Sequence, residues 1–247
     1  MIKVKNIETW GFEHSIRGMR NPKNSWGKSD SKYIHPEPKY RPTTARFVIE
    51  ENDLKLMKQL YTAGTEHRKY LRQIIVSMDI TAPLYWWKEF DTYKVGTTAN
   101  SCSTMHKIHS KRVTIDDFSY EHLLDNEYVI LDGFFQDHAT KEKVFANMNV
   151  DIGMSPLHGL EVLIQLLNYN RNEFLKTKDK KYWWQMIQLL PSSYNQKRTI
   201  TMNYENVFSM IKQRTRHKLD EWNEFVSILK ELPYVKEIGG FENELQA

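Results

Sequence analysis

The sequence predicts one helix-rich α/β (α+β) domain, residues 1–247, built around a mixed sheet. Three observations predict it. Short strand-like segments sit at Ile2–Thr9 and Arg46–Glu50, and Ile200–Tyr204 fits a short strand or the approach to the next helix, while longer segments at Ser155–Phe174, Lys180–Leu190, Asn203–Arg216 and Leu219–Leu232 carry apolar residues at helical spacing. A hydrophobic content of 40% over 247 residues is enough for a sizeable core. No repeat, low-complexity stretch or linker divides the chain.

The overall balance excludes several functions. The 35 basic and 31 acidic residues leave a formal charge of +4, scattered without a Lys/Arg block, so nucleic acid is not an expected partner. A single cysteine rules out an internal disulfide and a Cys-based zinc site, and it suits a reducing compartment. No signal-peptide pattern opens the chain, and no apolar run nears the roughly 20 residues of a membrane helix. The expectation is a soluble, cytoplasmic protein.

In chain order, Ile2, Val4 and Ile7 alternate with polar residues and predict an opening strand. Gly11–Thr44 shows no sustained period; its Arg17, Arg20, Trp26 and prolines suggest an ordered loop facing a ligand or partner. Arg46–Glu50 predicts a short strand, and Leu54, Met57, Leu60 and Tyr61 predict a helix over 51–63 that stops at Gly64. Tyr70, Leu71, Ile74, Ile75 and Met78 fall on one face of a second helix, ended by Thr81-Ala82-Pro83. Leu84–Phe90 predicts another, with Pro83 at its start. Asp116–Leu124 reads as a short helix, and Tyr128–Phe135 fits either strand or helix. Ser155-Pro156 opens a helix lined by Leu157, Leu160, Leu163, Leu166 and Leu167. Three helices close the chain, the first of them ended by Pro191.

Candidate chemistry concentrates in two places. Thr97–Thr104 offers five hydroxyls, one amide and the only thiol, directly after the aromatic segment Tyr85-Trp86-Trp87 and Glu89–Gly96. It is too polar for a core and a poor helix former. Short hydrogen-bonding side chains beside bulky aromatics suit a flat polar ligand, although a surface turn or cap uses the same residue types. Asn203 and Arg214 lie eleven positions apart, so they share a face at about 3.6 residues per turn. A guanidinium there can grip a phosphate or a pyrimidine carbonyl, or simply complement the helix dipole. His106 and His109 lack a third ligand at suitable spacing, so no metal is expected. Cys102 reads as structural, despite His106 nearby. No GxGxxG, Walker A or GxSxG motif is present.

Taken together, Glu66-His67, Ala82-Pro83, Thr98-Ala99-Asn100-Ser101-Cys102-Ser103, Leu190-Pro191, Asn203, Arg214 and Trp222 resemble, in order, the signature of the flavin-dependent thymidylate synthases (ThyX). The resemblance spans roughly residues 46–232 and leaves 1–45 as a divergent extension or loop region. It implies a homotetramer that binds FAD and dUMP. It further implies NADPH and methylenetetrahydrofolate as co-substrates for making dTMP. By position, Arg214 would anchor the pyrimidine nucleotide, with Ser101, Ser103 and Lys94 contacting it, and Ser103 and Arg214 as the catalytic pair. His67, Tyr93, Lys94, Asn100 and Asn203 would line the flavin site.

The departures are specific. Where the family has Arg-His-Arg, this chain has Asp91-Thr92-Tyr93-Lys94; Ser101 replaces a Glu, Met105 an Arg, and Gln188 stands near another Arg. Each lost arginine forfeits a charge-assisted contact of about 1.5–3 kcal/mol. Two rivals therefore stand beside flavin-dependent dUMP methylation. One is a close variant acting on another pyrimidine nucleotide. The other is a non-catalytic ThyX-like nucleotide-binding protein that has lost the flavin site.

Overall fold

A computed structural model describes residues 2–34, 45–130 and 153–241 of the chain. In order, the elements are β1 (Lys3–Trp10), α1 (Phe12–Arg20), β2 (Lys32–Ile34), β3 (Arg46–Val48), α2 (Glu51–Thr62), β4 (Ile75–Pro83), α3 (Leu84–Phe90) and β5 (Thr97–Ser101). Then come α4 (Thr104–Lys107), β6 (Val129–Ile130), β7 (Gly153–Met154), α5 (Pro156–Thr177) and α6 (Lys180–Leu189). The chain closes with β8 (Asn195–Asn203), α7 (Tyr204–Arg214), α8 (Asp220–Lys230) and α9 (Val235–Gly239). The class is α+β, as the sequence predicts. The chain groups into two compact units, Met1–Ser101 with Gln196–Ala247, and Cys102–Asn195.

The first unit is built on a four-stranded sheet of order β1-β4-β8-β5. β1 pairs antiparallel with β4, and β5 with β8. Polar cross-links tie β4 to β8: Thr199 donates to Asp79 at 2.6 Å and Ser77 donates to the Ile200 carbonyl at 3.2 Å. Asp79 also receives Asn6 and Lys197. The hydrogen bond from Thr199, followed by those from Lys197 and Asn6, draws the Asp79 carboxyl down to about 2.

The helix that the sequence predicts over 65–80 is a 3₁₀ turn at Lys69–Gln73 followed by strand β4. Tyr70, Leu71, Ile74, Ile75 and Met78 do fit a helical stripe. The same stretch also carries a period of two, with Val76, Met78, Ile80 and Ala82 buried and Ser77, Asp79 and Thr81 on the opposite face. A run of β-branched Ile74-Ile75-Val76 stiffens that stretch toward the strand.

Residues 11–34 are likewise more ordered than an irregular loop. Phe12, Ile16 and Met19 form the buried stripe of α1, at spacings of four and three. Behind it, Arg20 is buried and donates to Asp53 Oδ1 at 2.6 Å, to the Ser25 carbonyl and to the Lys28 carbonyl. Asp53 Oδ2 accepts from the Ser29 and Ser31 hydroxyls and from the backbone N–H groups of Asp30 and Ser31. Residues 35–44, with Pro36, Pro38 and Pro42, lie outside the described residues, as do 131–135 of the segment that fits either strand or helix.

An aromatic core anchors the far side of this unit. Trp86, Trp87, Phe90, Trp222 and Phe225 are all essentially inaccessible, with Trp86 and Trp222 centroids 4.7 Å apart. Trp87 donates its indole N–H to the Gln196 carbonyl at 2.9 Å. Pro83 precedes α3 in extended geometry, which fixes where these rings enter the core.

The second unit has its own core of Ile108, Val113, Phe118, Leu160, Leu167 and Met186. α5 starts at Ser155, whose hydroxyl accepts from His158 N–H, with Pro156 in the first turn. Asn168 on α5 brackets Val113, accepting from its N–H at 2.9 Å and donating to its carbonyl at 2.8 Å. The predicted helix over Asp116–Leu124 is a single 3₁₀ turn, Ile115–Asp117, closed by a Thr114/Asp117 capping box. Among the described residues, no helix is long and apolar enough to cross a membrane.

Candidate functional site

The first unit gathers most of the sequence-predicted site residues along α7. This helix is capped by Asn203, whose side-chain oxygen accepts from Asn206 N–H at 3.1 Å. Asn206 then reaches across to the segment before β5, donating to the Val95 carbonyl at 2.7 Å and to Thr97 Oγ1 at 2.8 Å. Gly96 is required there. It holds φ at +74°, and a Cβ would stand 2.3 Å from Asn203 Nδ2. Lys94, one residue before this contact, is exposed and forms no ion pair among the described residues.

At the other end of α7, Arg214 meets Tyr93 and Glu89. Arg214 Nε donates to the Tyr93 hydroxyl at 2.9 Å, and Nη1 donates to Glu89 Oε2 at 2.6 Å. The guanidinium lies over the Trp222 ring at 4.7 Å and near the Tyr93 ring at 5.6 Å. Trp222 adds its indole N–H to the same Glu89 oxygen at 3.0 Å. His217 completes the group. Its Nδ1 accepts from Leu219 N–H at 3.1 Å, and its Nε2 lies 3.1 Å from Arg214 Nη1 and 3.4 Å from Glu89 Oε2. Arg214 and Trp222 thus both donate to one carboxylate oxygen.

Two further atoms of the pair have no partner among the described residues. Arg214 uses Nε and Nη1 and leaves Nη2; Glu89 uses Oε2 and leaves Oε1. The pair is partly exposed, 18% for Arg214 and 34% for Glu89. Sequence reasoning did not single out Glu89 or His217. Their signal was spacing alone: His217 three residues after Arg214, and Glu89 one turn before Tyr93.

The polar run divides. Thr97–Ser101 is strand β5, an outer strand of the sheet, with Thr98, Asn100 and Ser101 exposed and opposite Thr201, Thr199 and Arg198 of β8. Arg198 donates to Asp91 at 2.7 Å and stacks over Trp87 at 4.2 Å, so a second arginine of the region is also paired with a carboxylate. Ser103 belongs to the second unit, where it caps α4 by accepting from His106 N–H at 3.0 Å.

His67 is exposed on a concavity of about 560 Å³ in the first unit, lined also by Met19, Lys23, Leu60, Glu66 and Lys69. Its neighbour Arg68 pairs at 3.0 Å with Glu205 in the first turn of α7, two residues past Asn203. Asn203 and Arg214 therefore stand at the two ends of α7, Tyr93 contacts Arg214, and His67 and Lys94 each adjoin a residue that contacts α7, while Asn100 and Ser101 continue along β5.

No protein-family model matches the chain, and no curated protein matches it. Solved structures do. Thymidylate synthase X (ThyX) from Helicobacter pylori, crystallised with FAD and dUMP, is similar with a TM-score of 0.57 over 96% of both chains, at 11% identity. A second structure of flavin-dependent thymidylate synthase ThyX from Helicobacter pylori, also complexed with FAD and dUMP, gives 0.55 over 96% of this chain and 95% of that one, at 12% identity. The fold is ThyX-like. At this identity the likeness extends to the fold. In the ThyX-like frame the stretch 1–34, which the sequence leaves unaligned, supplies the outer strand β1 and the buried helix α1.

Proposed function

We propose that this chain is a ThyX-like protein of pyrimidine nucleotide metabolism, binding FAD and a dUMP-like nucleotide and methylating it to the dTMP level. Methylenetetrahydrofolate would supply the carbon and NADPH the electrons. The observation that carries the reading is Arg214: in a ThyX-like fold it stands fixed by Tyr93 and Glu89, with Nη2 still open. A guanidinium held in place before binding loses little freedom on contact with a pyrimidine carbonyl or phosphate.

The residues present suit a flavin nucleotide in kind. The concavity at His67 is within the usual range of ligand pockets and brings Lys23 and Lys69 together, cations suited to phosphate. Lys94 adds another exposed cation, and Asn100 an exposed amide. Bound FAD would supply hydride transfer. The chain's own part is to hold and orient: His67 and Lys94 toward phosphate, Asn100 toward the flavin's polar edge, and Tyr93 and Asn203 by fixing Arg214 and the 94–97 turn. Ser101 and Ser103 would contact the nucleotide. In this reading, residues 1–247 act as one ThyX-like domain, as a homotetramer in the cytoplasm.

One observation favours a second reading, a non-catalytic nucleotide binder. Arg198 and Arg214 are each already matched by a carboxylate, Asp91 and Glu89. The Arg-His-Arg charge of the family is therefore absent in sequence and not restored by a free arginine at these positions. An absorption spectrum of the purified protein, before and after excess FAD and desalting, separates the two. A retained flavin spectrum that changes on adding dUMP supports the enzyme. Colourless protein that takes up no FAD but binds dUMP supports the binder.

A further inference from the structure

The second unit is electrically polarised along α5. Near its first turn stand Glu161 and, on the segment whose Leu124 carbonyl accepts from Leu157 N–H, Glu121, Asp125 and Glu127. Residues 113–130 hold no lysine or arginine. The other end is basic. Residues 171–184, which close α5 and open α6, carry Arg171, Lys176, Lys178, Lys180 and Lys181 against Glu173 and Asp179. Both carboxylates are already matched, Glu173 by Lys176 at 2.8 Å and Asp179 by Lys181 at 3.2 Å. Lys178 and Lys180 are exposed and form no ion pair among the described residues, and the same holds for Lys107 at the end of α4. A charge that reads as scattered along the sequence is thus concentrated at one end of one unit.

Aromatic rings are interleaved with these cations. Lys178 Nζ lies 6.0 Å from the Phe174 ring, and Lys180 Nζ lies 5.9 and 5.6 Å from the Trp183 and Trp184 rings. Lys181 Nζ lies 4.9 Å from the Tyr182 ring. Two contacts bring the basic segment around α4 to the same place. Trp183 donates its indole N–H to the Met105 carbonyl at 2.9 Å, and the His109 and Phe174 rings meet at 5.0 Å. Trp183 packs on the unit's core, whereas Trp184 is 43% exposed. Local energetics do not ask for this pattern: Lys180 and Lys181 stand in the first turn of α6, where the helix dipole disfavours a cation.

We propose that this end of the second unit binds single-stranded nucleic acid, with phosphates on Lys107, Lys178 and Lys180 and a base stacked on Trp184. Sequence-tolerant binding of a single strand needs these two elements, cations for the backbone and open aromatic faces for the bases. A base can take the place of the Lys180 ammonium over Trp184, which frees that ammonium for a phosphate. An anionic lipid surface fits less well. It asks for apolar side chains standing clear of the charges, and here the ammonium groups lie over the rings themselves. The proposal is independent of the nucleotide chemistry of the first unit.

The test is fluorescence anisotropy of a labelled oligo(dT) of about 15 nucleotides, titrated with the full chain with and without excess dUMP. The association constant should fall about twentyfold to fiftyfold from about 50 to 200 mM salt, as about three to four phosphate contacts require. An abasic oligomer of the same length keeps the phosphates and lacks the bases. It should bind about tenfold to hundredfold more weakly, and Trp184→Ala should weaken oligo(dT) binding by a similar factor. Lys178→Ala combined with Lys180→Ala should lower the log–log salt slope by about 1.4. Equal wild-type affinity for oligo(dT) and the abasic oligomer overturns the inference, and this arm needs no variant. Binding abolished by dUMP puts the oligomer in the nucleotide site and overturns it too. So does binding to phosphatidylglycerol vesicles with none to oligo(dT), or binding to neither at about 50 mM salt. None of these outcomes touches the proposed function, which the flavin spectrum tests separately.

Discussion

Two arginine–carboxylate pairs in the first unit look alike at the point of contact and differ in everything around it. Arg20–Asp53 and Arg214–Glu89 both close to 2.6 Å. In the first, both residues are buried; Arg20 uses Nε, Nη1 and Nη2, and Asp53 uses both oxygens. In the second, one nitrogen and one oxygen are left over, and the pair meets solvent. A buried ion pair is tolerable only when its remaining donors and acceptors are satisfied, so saturation marks a structural clamp. Unsaturated atoms on a rigid, half-exposed pair mark a place where something else can bind.

The largest expected effect is on the clamp. Asp53→Ala should destabilise the protein by about 3–5 kcal/mol, because it strands the Arg20 charge in the interior; denaturant unfolding measures it, and a loss under 1 kcal/mol would make the two pairs equivalent. The clamp also carries a pH signature. Burial pushes the Asp53 carboxyl up, but hydrogen bonds from Ser31, Ser29 and Arg20 outweigh it and hold the group below the usual carboxylate range. Its stabilisation is therefore present above the unfolded value, about pH 4, and lost as pH falls through the lower folded value. Asp53→Asn should flatten that part of the stability–pH curve.

On the open pair the readout moves from stability to ligand. Arg214→Ala should weaken dUMP binding about tenfold to hundredfold with the melting transition retained; unchanged affinity removes α7 from the site. Gly96→Ala should cost about 1–3 kcal/mol, since the residue sits at positive φ against Asn203, and it should loosen the 94–97 turn as read by hydrogen exchange. The smallest effect is the sharpest contrast. Glu89→Gln should change unfolding free energy by no more than about 1 kcal/mol, the usual range for a solvent-exposed pair, against the several expected at Asp53.

The long helices and the α+β class were legible because their signals are redundant. α5 carries five leucines at helical spacing behind a Ser-Pro start, and β1, with the residue before it, shows Ile2, Val4 and Ile7 among polar residues, with a register shift between Lys5 and Glu8. The failures came where two periods coexist or where an element is short. Residues 75–83 satisfy both a helical stripe and a strand alternation, and only pairing with β1 and β8 decides between them. α1 has nine residues, with Gly18 near its end, so three apolar positions were its whole signal. β5 looks like a loop by polarity, yet its paired threonines are good strand residues on an outer strand. The site was half legible. Arg214, Tyr93 and Asn203 stand out by spacing and motif order, whereas Glu89 joins them only through a contact between residues 125 positions apart.

Trp222 gives this arrangement an optical consequence. Its indole is fully buried, donates to Glu89 and lies under the Arg214 guanidinium, 4.7 Å from the charge centre. A ring excited in that position senses the local field directly, and a ligand that engages either partner changes that field. Trp86 and Trp87 are equally buried in the same aromatic cluster, Trp86 packing against both Trp222 and Trp87. The protein's own fluorescence can therefore report occupancy of the pair, without a label and before any turnover is sought.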